Sequence, residues 1–234
     1  MKVEIWSDVM CPFCYIGKRK FELALEKFPH RDKVEITWKS FQLNPDMVTD
    51  PAKNTTQYLA EVKGWSLQQA ADANNYVTDI AKKVGLTYNL DKAVVANSFD
   101  AHRLSHLAKK YNKQDALEER LFLAYFTEGK NTADHTVLCE IGVEIGLEEP
   151  EIMTMLAGSE YAAEVNKDIL EAQMVGARGV PFFVFERKYA ISGAQDPAAF
   201  EQVLNTVWEE IEKVKPVEIA LTTDGESCGP EGCD

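Results

Sequence analysis

Strand patterning marks both ends of this chain and vanishes between them. Near the start, Val3 and Ile5 alternate with charged neighbours, and Val34, Ile36 and Trp38 alternate with Glu35, Thr37 and Lys39. That is the pattern of half-buried strands. Between these runs Phe21, Ala24, Leu25 and Phe28 recur at helical spacing on one face, until Pro29-His30-Arg31-Asp32 interrupts them. The opening therefore reads strand, helix, strand, and a crossover of that kind implies parallel pairing. Strand signals return at Phe182-Phe183-Val184-Phe185 and Tyr189-Ala190-Ile191, and the short polar link Glu186-Arg187-Lys188 predicts a hairpin. A helix follows: Asp196-Pro197 supplies a cap and a first-turn proline, and Phe200, Val203, Leu204, Val207, Trp208 and Ile211 form one apolar stripe.

From residue 55 to 174 the spacing is helical, with Ser66 and Gly85 predicted to bound one helix, Asp115 and Gly129 another, and Ser159 to open a third. The order β-α-β, helices, β-β-α predicts an α/β protein: a thioredoxin fold interrupted by a large all-helical insertion domain. The expected boundaries are 1–48 and 176–214 for a discontinuous thioredoxin-like domain, 49–175 for the insertion, and 215–234 for an acidic C-terminal tail.

The balance of 25 Lys+Arg against 38 Asp+Glu gives a net charge of −13, opposite in sign to the surface that phosphate contacts need. No nucleic-acid partner is expected. The sequence contains no run of about 18 apolar residues, so no membrane span is expected. A strand directly at Lys2-Val3-Glu4-Ile5, with no basic-then-apolar leader before it, points to a cytoplasmic protein. In that reducing compartment clustered cysteines are more often catalytic, redox-sensing or metal-binding than structural.

Cys11-Pro12-Phe13-Cys14 stands where the first strand hands over to the first helix. Taken alone, the spacing suits a redox centre, half of a zinc site, or two packed thiols. Its position favours the first. The helix N-terminus, with unpaired N–H groups and a positive dipole end, favours a thiolate at Cys11. Pro12 costs little there because its missing N–H would have no intrahelical partner. The i, i+3 spacing brings Cys14 to the same side of the turn, near enough to resolve a mixed disulfide made at Cys11. Phe13 adds no imidazolium, which predicts a milder oxidant than a histidine-bearing motif. A second element, Gly179-Val180-Pro181, precedes the Phe182 strand. Pro181 is either a trans proline at a strand start or a cis proline. In a thioredoxin fold that loop faces the cysteines, where the Val180 backbone can pair with an extended substrate.

Three separated segments carry a resemblance: Asp8-Val9-Met10-Cys11-Pro12-Phe13-Cys14-Tyr15-Ile16-Gly17, Asn97-Ser98-Phe99-Asp100-Ala101-His102-Arg103-Leu104, and Gly179-Val180-Pro181-Phe182-Phe183. In these the chain resembles the DsbA-family thioredoxin-fold oxidoreductases, most closely their cytoplasmic FrnE-like branch. The likeness runs to about Lys213. It implies Cys11 as nucleophile, Cys14 as resolving thiol and Pro181 as cis-proline, with protein thiols and disulfides as substrates and a cytosolic thiol reductant or oxidant to recycle the pair. No cofactor beyond the redox-active disulfide is implied. Phe13 departs from the tryptophan common in that branch.

Met10 and Phe13 offer an apolar rim for substrate. Asp8 is a candidate for tuning Cys11 or simply a turn residue, and His102 is either a packed histidine or one over the active site. Cys139, among Val137, Leu138, Ile141 and Val143, reads as a buried, inert thiol. Cys228 and Cys233 form an auxiliary pair in the tail. The residues from Pro216 to Cys228 span at most about 40 Å, ample to reach the first motif. The pair is read as a disulfide shuttle, as incidental thiols, or as ligands completing a zinc site with Cys11 and Cys14. Two other functions fit the outline: a glutathione-dependent kappa-type transferase or the related chromene-carboxylate isomerase, which typically place serine where Cys11 stands, and a zinc-stabilised binding protein or chaperone.

Overall fold

In chain order the elements are β1 (Lys2–Ser7), α1 (Pro12–Lys27), β2 (Glu35–Ser40), β3 (Asp50–Asn54), α2 (Thr55–Lys63), α3 (Leu67–Lys83), β4 (Val94–Val95), α4 (Phe99–Lys110), α5 (Gln114–Phe122), α6 (His135–Glu144), α7 (Glu149–Ala157), α8 (Ala162–Met174), β5 (Phe182–Phe185), β6 (Tyr189–Ser192), α9 (Pro197–Val214), β7 (Cys228–Gly229) and β8 (Gly232–Cys233). The structure, a computed structural model, describes residues 1–214 and the backbone of 228–229 and 232–233.

The main sheet has the strand order β2-β1-β5-β6. As the crossover rule requires, β1 and β2 are parallel, with Ile5 opposite Trp38. β5 runs antiparallel to β1, pairing Phe183 with Ile5, and forms the hairpin with β6. All four β5 side chains are buried, because helices cover both faces. On one face Phe183 meets Phe21 of α1 at 5.5 Å between ring centroids and Phe200 of α9 at 4.8 Å. On the other, Trp6, Phe182 and Val184 pack with Ala172 of α8. A sheet buried on both sides reads as a continuous apolar run rather than an alternation, which is what Phe182-Phe183-Val184-Phe185 displays.

The helices of residues 55–174 lie between β2 and β5, as a thioredoxin fold with a helical insertion demands. The insertion also holds a ribbon, β3 against β4, with an irregular register between Asp50 and Asn54. β4 is two residues long, too short to declare a period. Two helix starts differ from the sequence expectation. Asp115 sits inside the first turn of α5 rather than capping it, since Lys113 occupies the cap. α8 begins at Ala162 after Tyr161 at φ 62, while the Ser159 carbonyl accepts from the Ala162 amide at 3.2 Å. α5 continues into a π-helical turn, Leu123–Glu128, which Gly129 closes at φ 69. Among the described residues no helix is long and apolar enough to cross a membrane.

Candidate active site

Cys11 is the N-cap of α1, with extended backbone (φ −86°, ψ 111°) and Pro12 in the first turn. Its amide donates to the Asp8 carbonyl at 2.9 Å, and the Cys14 amide donates to the Cys11 carbonyl at 3.0 Å. This tight turn presents both sulfurs on one side. The Cys11 thiol donates to the Val180 carbonyl at 3.5 Å, and the Val180–Pro181 peptide is cis. The first turn of α1 and the loop before β5 therefore meet at the Cys11 sulfur. Both Cys11 and Cys14 are free thiols. Burial holds the Cys14 thiol protonated, raising it well above the ordinary range; its contact with Cys11 adds to this, and the Ser7 hydroxyl and Asp8 amide offset only part.

Gly17 explains how α1 comes so close to the proline loop. A Cβ there would stand 2.9 Å from Pro181 Cγ and 3.4 Å from Phe183 Cζ. Only a residue without a side chain allows that approach.

Asp8 is fully buried. One of its carboxylate oxygens accepts from the Leu43 amide at 2.7 Å, and the other lies 3.7 Å from His102 Nε2. His102, on α4, is itself buried and forms a 2.9 Å hydrogen bond with the Phe41 carbonyl. Burial alone lowers the imidazole's proton affinity; Asp8, Glu118 and the Phe41 carbonyl outweigh it, so His102 is raised above its ordinary value. Glu118 of α5 is also buried. Its carboxyl is pushed up by burial, more than His102 and the Ser105 hydroxyl bring it down. Ser105 Oγ donates to it at 2.6 Å. Gln114 and Glu118 fall in a buried stripe with Leu117, Leu121 and Phe122; polar residues at such stripe positions are a readable signal of a buried network.

Met10 is partly buried beside the core and Phe13 is 37% exposed. Leu43 is 49% exposed, and its amide is the one that Asp8 holds. Cys139 is buried on α6. Among the described residues no three His, Cys, Asp or Glu side chains converge as metal donors. The side chains of Cys228 and Cys233 lie outside the described residues, and their backbones pair opposite each other across β7 and β8.

A sheet of this order, a helix-capping cysteine pair and a facing cis-proline loop define a thioredoxin-fold protein of the DsbA type. The profile of the DSBA-like thioredoxin domain family matches residues 2–205, and the chain belongs to that family. It is similar to the crystal structure of a probable DsbA oxidoreductase, SCO1869, from Streptomyces coelicolor, at 39% identity and a TM-score of 0.86 over 100% of this chain and 98% of that one. It is 29% identical over 212 residues to the uncharacterized protein YwbO of Bacillus subtilis, covering 87% of this chain and 95% of YwbO. The cytosolic disulfide reductase DsbM of Pseudomonas aeruginosa, solved with GSH, shares the fold at 18% identity and a TM-score of 0.63, over 89% of this chain and 100% of DsbM. The chain is thus an oxidoreductase or isomerase of the DsbA family.

Proposed function

We propose that this chain catalyses thiol–disulfide exchange on protein substrates, with Cys11 as the attacking sulfur and Cys14 as the resolving one. The observation that carries the reading is the meeting of the Cys11 sulfur, at a helix N-terminus, with the Val180 carbonyl of the proline loop at 3.5 Å. Cys11 as thiolate attacks one sulfur of a substrate disulfide. The substrate S–S bond breaks, a Cys11–substrate S–S bond forms, and the released substrate sulfur takes a proton. Cys14 then gives up its proton and attacks Cys11. The substrate leaves as a dithiol, and the protein has lost two electrons to it as the Cys11–Cys14 disulfide. Run backwards, the same steps deliver a disulfide. Burial of Cys14 keeps the second sulfur protonated until the mixed disulfide forms, which separates the roles.

The Val180 backbone suits pairing with an extended substrate segment, and Met10, Phe13 and Leu43 suit its apolar side chains. A cytosolic thiol reductant or oxidant recycles the pair, in a cytoplasmic protein of the FrnE-like branch. Cys228 and Cys233, opposed in backbone register, act as an auxiliary exchanging pair. Insulin reduction tests the reading: Cys11→Ser is expected to bring the rate down to the uncatalysed background. Activity untouched by that change contradicts it.

A further inference from the structure

The insertion touches the cysteine turn through a hydroxyl to which the exchange steps assign no task. Tyr88 follows α3 and is buried, with 5% of its surface exposed. Its OH donates to the Pro12 carbonyl at 2.7 Å. The ring is held from both directions. It stacks on Phe126 at 4.7 Å, and Phe126 belongs to the π-helical turn after α5. The Asn89 amide donates to the Phe126 carbonyl at 2.7 Å, Asn89 Nδ2 to the Thr127 carbonyl at 2.6 Å, and Thr127 Oγ1 to the Thr87 carbonyl at 2.6 Å. These bonds clamp residues 87–89 on either side of Tyr88. Burial pushes the Tyr88 phenol far above its ordinary range, and charge at Cys11 and Cys14 pushes it further. The hydroxyl therefore stays a donor.

The Pro12 carbonyl shares a peptide with the Phe13 N–H, one of the first-turn donors that have no intrahelical partner. Those donors point back toward the N-cap residue, Cys11. A hydrogen bond to the carbonyl polarises the peptide and strengthens its N–H. Charge on Cys11 exists only in the reduced protein. We infer that Tyr88 is a positioning residue for the Cys11–Cys14 couple: through the Pro12 carbonyl it orients and polarises the first turn of α1, favouring the dithiol over the disulfide. The inference rests on the exchange reading above.

Equilibration of the full chain with graded glutathione buffers, followed by alkylation and mass spectrometry, reads the fraction of Cys11–Cys14 disulfide. Tyr88→Phe is expected to move the equilibrium toward the disulfide by about 2- to 3-fold, a fraction of one hydrogen bond's worth, since the bond strengthens with charge on Cys11 rather than being made only then. Thr127→Val loosens the clamp but keeps the donor; it is expected to lower the melting temperature and leave the equilibrium unchanged. An unchanged equilibrium in Tyr88→Phe overturns the inference, as does an equal shift in both variants. If the Tyr88→Phe chain does not keep its circular dichroism, a fluorinated tyrosine at residue 88, a stronger donor, takes its place. The shift must then run toward the dithiol, and its absence overturns the inference. A wild-type chain that forms no Cys11–Cys14 disulfide at any ratio overturns the exchange reading itself, and with it the inference.

Discussion

The strand frame and the helical insertion contribute to the active site in different currencies. From the frame come Cys11, Cys14, Gly17 and the Val180–Pro181 loop, brought together by backbone geometry: a helix start, a missing side chain and a strand entry. From the insertion come Tyr88, His102 and Glu118, which act as buried polar side chains around that geometry. The contrast teaches that the two sulfurs and their surroundings are separable. Changes in the frame should alter whether exchange occurs, and changes in the insertion should alter stability and redox balance.

His102 offers the largest test of the insertion's part. Its folded proton affinity is raised from the ordinary value of 6.5. The stability it contributes is therefore fully present below that value and is lost as pH climbs through the folded one. Replacing it with glutamine leaves buried Asp8 without its cation, and His102→Gln is expected to cost about 3 kcal/mol at about pH 6. The gap from wild type should narrow as the solution becomes alkaline. Denaturant unfolding across pH checks this; a gap that stays constant breaks the picture of a charged pair beneath the cysteine turn.

Gly17→Ala sharpens the comparison from the frame, with a smaller effect. Alanine is favoured over glycine inside a helix by about 1 kcal/mol. Its methyl would enter the 2.9 Å approach to Pro181, and overpacking of that kind costs about 1–3 kcal/mol. The expected result is a net loss of about 1 kcal/mol, seen as a lower melting temperature, together with slower exchange as the loop is pushed away from Cys11. A stabilised variant with unaltered exchange contradicts the close packing of α1 against the loop.

The same division decides what is legible in the sequence. The four main strands and α9 announce themselves through local patterns, alternating in β1 and β2 and continuously apolar in β5, and the parallel pairing of β1 and β2 follows from a crossover rule. The Cys11 and Pro181 segments are also local motifs. Tyr88 carries no local mark: it bonds Pro12 across 76 residues of chain, a distance over which neighbouring residues say nothing. Gly17 looks like any helical glycine until Pro181 is seen against it. Asp115 and Ser159 are good capping types, but the caps fall at Lys113 and Tyr161, and the Asp115 carboxylate instead accepts from Trp38 Nε1 at 2.9 Å, a partner 77 residues away. β4 was hidden because two residues cannot display an alternation.

Trapping tests the proposed division of labour between the two sulfurs most directly. A Cys14→Ser chain, mixed with a disulfide-bonded peptide and quenched with acid, should accumulate a covalent adduct. Mass spectrometry after proteolysis should locate that adduct on Cys11. An adduct on Cys139, or none while exchange continues at the wild-type rate, contradicts the account.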